Sequence, residues 1–281
     1  MTPPDKAVPA GKAEETALAS GKVLLDYPAE AVARLTLNRP RARNALDHET
    51  LDALAEAMPS LDRGIEVRCV ILTGKGKAFS AGYDIAAISE QSFEDEAEAL
   101  VAHPFHKALD AIAGHPWPVV AAINGHALGG GLELALCADL RVCAAGAKLG
   151  MPPAKLGLIY GHTGLARFIQ TIGVPRTKQL FLVGDTVSAQ RAERIDLVHE
   201  IIDGEELEAA ALELAAEVAA NAPLSMKGNK QAIDTLAANP ILSPEQEKEL
   251  IELRESCFTS EDFREGIAAF GEKRKPQWKG K

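Results

Sequence analysis

Paired cysteines are missing from this chain of 281 residues. Its four cysteines, Cys69, Cys137, Cys143 and Cys257, show no C-x-x-C spacing and sit in apolar stretches, so they predict reduced thiols packed in a core. Positive charge is also in short supply. Thirty Lys and Arg face 40 Asp and Glu for a net charge of -10, and the basic residues are scattered apart from the run EKRKPQWKGK near the C-terminus, which reads as a solvated tail or a phosphate contact. Nucleic acid and anionic membrane surfaces are thereby disfavoured as general partners. No apolar run reaches membrane-span length without a charge or an Asn/His break. Residues 1–20 lack the basic start and unbroken apolar stretch of a signal peptide, and their Pro, Ala and Lys content predicts a disordered tail on a soluble, cytoplasmic protein. There is no P-loop GxxxxGK(S/T), no GxGxxG after a strand and no GxSxG elbow. Nucleotide hydrolysis, hydride transfer and serine-hydrolase chemistry are disfavoured accordingly.

What the chain does contain is an alternation of strands and helices. VLLDYPAEAVARLTL (23–37) predicts two short strands around a Pro turn. The next segment predicts a helix with Leu51, Leu54, Met58 and Leu61 on one face and Asp47 as its N-cap. VRCVILTG (67–74) and VVAAI (119–123) read as buried strands, and LRVCAA (140–145) and VHEII (198–202) as two more. A helix is predicted through the 90s to about 113, with further helices around 163–171 and 175–183. From about 205 onward the pattern is helical. The fold class is therefore α/β, with a core over 21–204 and a helical C-terminal region over 205–281.

One stretch, GHALGGGLELALCADL (125–140), sets three glycines before a helix that is apolar on every side. The first-turn N–H groups of a helix have no intrahelical partner and lie at its positive dipole end. Glycines there let a ligand oxygen reach them, which suits an anion or a developing oxyanion; they would equally let the helix pack close to a neighbouring strand. Glu133 is the only charge between Gly125 and Asp139, on the face of the Gly130 N–H. A carboxylate in such surroundings calls for a salt bridge or a chemical role, and burial and the helix terminus pull its pKa in opposite directions. In KAFSAGYDI (77–85), Gly82 marks a sharp turn that frees the N–H of Tyr83. Two donors from separate loops are what a polarised carbonyl needs. Asp84 reads most simply as an N-cap.

AFSAGYDI and INGHALGGGLELALCADLRV together resemble the paired oxyanion-hole signature of the crotonase superfamily, the enoyl-CoA hydratase/isomerase family. LNRPRARNAL (37–46), GMPPAKLGLIYGHTG and SEDFREGIAAFGEKRKP match in order and spacing, so the resemblance runs from about residue 22 to the end. It implies a spiral of ββα units, a helical C-terminal region that supports homotrimers or dimers of trimers, and an acyl-CoA lyase whose only cofactor-like group is the coenzyme A thioester of its substrate. The Tyr83 and Gly130 N–H groups would hold the thioester C=O. Arg43, Ala45, Ala81, Asp84 and Ile85 would line the substrate and coenzyme A path, while Phe270 and Lys273 would approach the coenzyme A of a neighbouring subunit. Glu133 matches the first of two hydratase glutamates, but the second position is Pro153, which carries no proton.

The GLIY segment and the SEDF ending look closer to the methylmalonyl-CoA decarboxylase branch, in which Tyr160 would lie by the reacting acyl group. Against that branch, it has a histidine where this chain has Tyr83 and a threonine where it has Pro152. Tyr160 is thus a second proton-handling candidate beside Glu133, or else a packing tyrosine. His162 is a solvent-facing loop residue or a helper of that proton donor. His103 and His106 share helical spacing without a third ligand, so no metal site is expected. A non-catalytic acyl-CoA-binding protein is the alternative that Pro153 permits.

Overall fold

The computed structural model describes residues 15–62, 64, 66–84, 104–157, 159–239 and 243–281. Its first strand, β1 (Thr16–Leu18), pairs antiparallel with β2 (Val23–Ala29), which pairs antiparallel with β3 (Val32–Leu37). The sheet thus begins inside the segment expected to be a tail, because Thr16–Leu18 completes the edge of β2. Pro28 lies within β2, not in the turn: the register shifts between Asp26 and Ala29, a bulge that tolerates a residue without an N–H, and the reversal falls at Ala31 with φ 57°.

Three strand-strand-helix units follow. The first holds β4 (Cys69–Gly74), β5 (Ala78–Ser80) and, beyond a segment outside the described residues, the helix His106–Ala113. The second holds β6 (Val119–Ile123), β7 (His126–Leu128) and the helix Gly130–Leu136; the third holds β8 (Leu140–Ala144), β9 (Lys148–Gly150) and the helix His162–Val183. With α1 (His48–Ser60) preceding them, these helices are α2, α3 and α4. The first strand of each unit joins a seven-stranded sheet and the second a four-stranded sheet, with β4-β6-β8 and β5-β7-β9 adjacent in the same order. The chain therefore winds as a spiral of repeated ββα turns. Beyond it come β10 (Thr186–Ser188), α5 (Ala189–Arg194) and β11 (Glu200–Ile202), then α6 (Leu207–Ala219), α7 (Pro223–Ala238), α8 (Pro244–Thr259) and α9 (Glu261–Glu272).

Period-two alternation splits the large sheet between two cores. Leu35, Val70, Leu72, Val119, Ala121 and Ile123 face the main core with α1 to α4, whereas Val32, Cys69, Ile71, Val120, Ala122 and Val142 face the small residues of α6. Buried on both faces, β4 and β6 read as continuous apolar runs, as parallel strands do. Asp47 caps α1, accepting from the Thr50 N–H at 2.9 Å. The two helices expected around 163–183 form one element that breaks at Gly173 (φ 74°, ψ 162°), just before Pro175. Cys69, Cys137 and Cys143 are buried free thiols, with pKa values pushed up to about 12 by burial; nothing is described of the Cys257 side chain. Among the described residues no helix is long and apolar enough to cross a membrane.

Candidate active site

Because β5 and β7 pair in parallel (Ala78 beside His126, Ser80 beside Ala127), the loops that leave their C-terminal ends are neighbours. The first carries Gly82 and Tyr83, the second Gly129 and Gly130. Leu46 forms a parallel bridge with Tyr83: its N–H donates to the Gly82 carbonyl at 2.8 Å, and its carbonyl accepts from the Asp84 N–H at 3.0 Å. In that pattern Tyr83's own N–H points to the opposite side. Gly82 (φ +92°) closes the turn, and a Cβ there would lie 2.8 Å from the Leu128 oxygen and 3.2 Å from the Gly130 nitrogen. Among the described residues neither the Tyr83 nor the Gly130 N–H donates to a protein acceptor.

The three glycines divide their work. Gly129, at φ 52° and ψ -128°, holds a backbone conformation that side chains rarely tolerate. Gly130 leaves room for the Tyr83 ring, whose carbons would stand 3.2 Å from a Cβ, while Gly131 admits Ser80, whose Oγ would be 2.6 Å away. Close packing thus falls at Gly130 and Gly131, and the backbone constraint at Gly129.

Glu133, only 2% exposed, projects from α3 onto the start of α4. Its Oε2 accepts a 2.5 Å hydrogen bond from the Tyr160 hydroxyl, and its Oε1 accepts from Arg167 Nη1 at 3.0 Å. Gly164 makes room, since a Cβ there would lie 2.9 Å from both carboxylate oxygens and 2.6 Å from the Tyr160 ring. Burial lifts the Glu133 pKa above the ordinary carboxylate value, opposed by the Tyr160 hydrogen bond and the Arg167 charge. Burial also raises both phenols, whose hydroxyls interact with each other and feel the Glu133 charge. Aromatic edges hold them in place: Tyr83 packs against Phe105 at 4.7 Å between ring centres and Tyr160 against Phe181 at 5.5 Å.

The remaining candidates fall into three groups. Arg43 (φ 52°) is exposed and its carbonyl accepts from the Ala81 N–H at 3.0 Å; buried Ala45 offers its carbonyl to Arg39. Asp84 pairs with Arg39 Nη2 at 2.8 Å, and the helix it was expected to cap, like Ile85 and His103, lies outside the described residues. Pro153 is buried in a 3-10 turn (Pro153–Leu156), and His162 is exposed. The third group is remote. Phe270, 88% exposed, lines a groove of about 490 Å³ with Ile267 and Trp278, and Lys273 ends α9 in a left-handed conformation. The basic run is not a solvated tail: Asp262 accepts from the Lys279 and Gly280 N–H groups at 2.7 and 2.9 Å, and Trp278 Nε1 donates to the Ala220 carbonyl at 2.7 Å. Among the described residues no cluster of three or more His, Cys, Asp or Glu could hold a metal ion.

Arg167 and Gly164 were not singled out from the sequence. Their signal was helical: Gly164 and Arg167 stand three residues apart within α4, spacing that puts them on one face.

Among the described residues, the Tyr83 and Gly130 N–H groups make no protein hydrogen bond, and the buried Glu133 carboxylate stands on the helix that begins at Gly130. A family model described as enoyl-CoA hydratase/isomerase matches residues 28–281. A short-chain-enoyl-CoA hydratase of Clostridium acetobutylicum is 35% identical over 249 residues, 87% of this chain and 92% of that protein. A crotonyl-CoA hydratase of Syntrophomonas wolfei is 35% identical over 254 residues, 88% of this chain and 94% of that protein. The crystal structure of an enoyl-CoA hydratase from Bacillus anthracis superposes with a TM-score of 0.85 at 34% identity, covering 92% of this chain and 100% of that one. The chain belongs to the enoyl-CoA hydratase/isomerase family, within the crotonase superfamily, and is an acyl-CoA enzyme of that family.

Proposed function

We propose that the thioester carbonyl of an acyl-CoA sits between the N–H groups of Tyr83 and Gly130, and that Glu133 and Tyr160 handle the proton as an enolate forms and collapses. The observation that carries this reading is the 2.5 Å hydrogen bond from Tyr160 to the buried Glu133 carboxylate. Donors fixed in advance stabilise charge that develops on the thioester oxygen more than they stabilise the ground-state carbonyl. The substrate is the coenzyme A thioester itself, and the step calls for no further cofactor.

The first reaction is addition of water across a short 2-enoyl-CoA, the activity named for the Clostridium and Syntrophomonas relatives. Pro153 supplies no second acid, so Tyr160 takes that place: the Glu133 carboxylate accepts a proton from water as its oxygen bonds to C3, the phenol delivers its proton to C2, and the proton on Glu133 passes along their hydrogen bond to restore the phenol. Decarboxylation of a 2-carboxyacyl-CoA of the methylmalonyl type is a second reading, favoured by the same Pro153. Loss of carbon dioxide leaves the electron pair in the enolate without a base, and only one proton delivery remains.

The test is mass spectrometry of the purified protein incubated separately with crotonyl-CoA and methylmalonyl-CoA. Gain of water supports hydration, and loss of carbon dioxide without hydration supports decarboxylation. Turnover of neither, with acyl-CoA still bound by calorimetry, would turn the question to other acyl-CoA substrates or to binding alone. We further propose that it works as a homotrimer or a dimer of trimers, with Phe270 and Lys273 reaching a neighbour's coenzyme A. Exposed apolar side chains such as Leu182 (74%) and Ile267 (61%) support that assembly, and light scattering tests it.

A further inference from the structure

We infer that Arg167 is a positioning residue of the proposed site, which fixes one oxygen of Glu133 from behind and so sets both the aim and the ionisation of that carboxylate. The inference rests on the reading of Glu133 as the proton-handling group. Three observations carry it. A carboxylate has two oxygens, and here they are divided: Oε1 goes to Arg167 and Oε2 to Tyr160, so neither donor alone fixes the rotation of the group. Gly164, one turn before Arg167 on α4, removes the side chain that would otherwise separate the guanidinium's helix from Glu133.

Arg167 also comes from a different space than the other residues of the site. It lines a groove of about 620 Å³ with Cys137, Asp139, Gln170 and Lys230, and none of Tyr83, Gly130 and Tyr160 lines that groove. Arg167 therefore borders the groove while its guanidinium reaches Glu133. In nearly dry surroundings, a carboxylate that loses its ion-paired guanidinium protonates more readily, since desolvation is then opposed only by the Tyr160 hydrogen bond and the charge of His106.

The groove makes the inference unusually testable, because it leaves a path for a small cation to the place a truncated Arg167 would vacate. The experiment uses full-length protein with 13C-labelled glutamate carboxyls, the Glu133 signal being assigned by its loss in Glu133→Gln. In Arg167→Ala we expect the Glu133 titration midpoint to rise by about one unit or more. Arg167→Lys, or millimolar guanidinium added to Arg167→Ala, should bring it part of the way back, with turnover recovering in parallel. Should Arg167→Ala not fold, Arg167→Met, which keeps the stem, carries the same titration and is compared with Arg167→Lys. A midpoint within a few tenths of a unit of the wild type would overturn the inference, whatever happens to activity. So would lost turnover with an unmoved titration, which would mark Arg167 as merely structural. The titration is read without substrate, so an inactive protein would count against the proposed reaction and not against this role.

Discussion

Gly164 lies directly over Glu133: a single methyl on it would reach both carboxylate oxygens at 2.9 Å and the Tyr160 ring at 2.6 Å. Nothing in the local backbone demands glycine there, because residue 164 is in a regular helical turn and has no positive φ. The requirement is space for two side chains from elsewhere. Alanine is the better helix former by about 1 kcal/mol, but that gain cannot offset displacement of a hydrogen-bonded buried carboxylate. Gly164→Ala should therefore lower kcat by roughly 10-fold or more through a misplaced Glu133. Steady-state kinetics beside a thermal melt decide this, and a variant with wild-type kcat would show that the Glu133–Tyr160 geometry does not limit turnover.

Removing the proton-handling groups themselves should cost more. Glu133→Gln keeps an oxygen for Arg167 to donate to while abolishing the base, and should reduce kcat by about 100- to 10,000-fold. Tyr160→Phe withdraws one of the two donors that oppose the upward pull of burial on Glu133, so the Glu133 pKa should rise further. If ionised Glu133 is the active form, the acid limb of kcat/KM must move to higher pH in Tyr160→Phe. A loss of rate with an unshifted acid limb would assign Tyr160 to proton delivery alone.

The frame of this site was legible because it rests on local chemistry. Buried strands such as VVAAI announce themselves as apolar runs, Asp47 as a cap, and Gly82 as a sharp turn. The small sheet was not legible: β5, β7, β9 and β10 are three residues each, too short for a period to register, and they exist because the spiral stacks them side by side. Arg167 was hidden for a related reason. A lone arginine on an amphipathic helix reads as a solvated residue until the fold brings Glu133, 34 positions away in sequence, against it. The sign of the Glu133 shift was likewise beyond sequence, since it depends on how much burial its two donors fail to offset.

The C-terminal run, which by charge alone suggested a solvated tail or a phosphate contact, makes a prediction of its own. Buried Asp262 accepts the Lys279 and Gly280 N–H groups and clasps the end of the chain against α9. Asp262→Ala should release residues 275–281 at a cost of about 1–3 kcal/mol, the range for losing charge-assisted hydrogen bonds. Amide hydrogen exchange should then show Lys279 and Gly280 losing protection while the β4 and β6 amides keep theirs. Retained protection at Lys279 would mean that the remaining ties, Trp278 to the Ala220 carbonyl, the Gln277 N–H to Glu265 and the backbone N–H of residue 262 to the Lys281 carbonyl, suffice to hold the tail.

His115 sets an acid limit on stability. It is 2% exposed, its Nε2 has no hydrogen-bond partner among the described residues, and burial, aided by the Lys230 and Lys227 charges against Asp62 and Asp139, lowers its pKa to about 4. The unfolded chain binds this proton near pH 6.5, so between about 6.5 and 4 the unfolded state holds more protons than the folded one and stability falls as pH falls. The full effect, reached near pH 4, is about 3 kcal/mol for a shift from 6.5 to about 4. Above pH 6.5 the group is neutral in both states and adds no slope. His115→Gln keeps a polar ring-sized group without a titrating proton, and its urea-unfolding free energy should fall less steeply than the wild type's over that window, with the two curves running parallel above it. Parallel curves throughout would mean that the folded protein accommodates protonated His115, and acid sensitivity would then have to come from the carboxylate pairs alone.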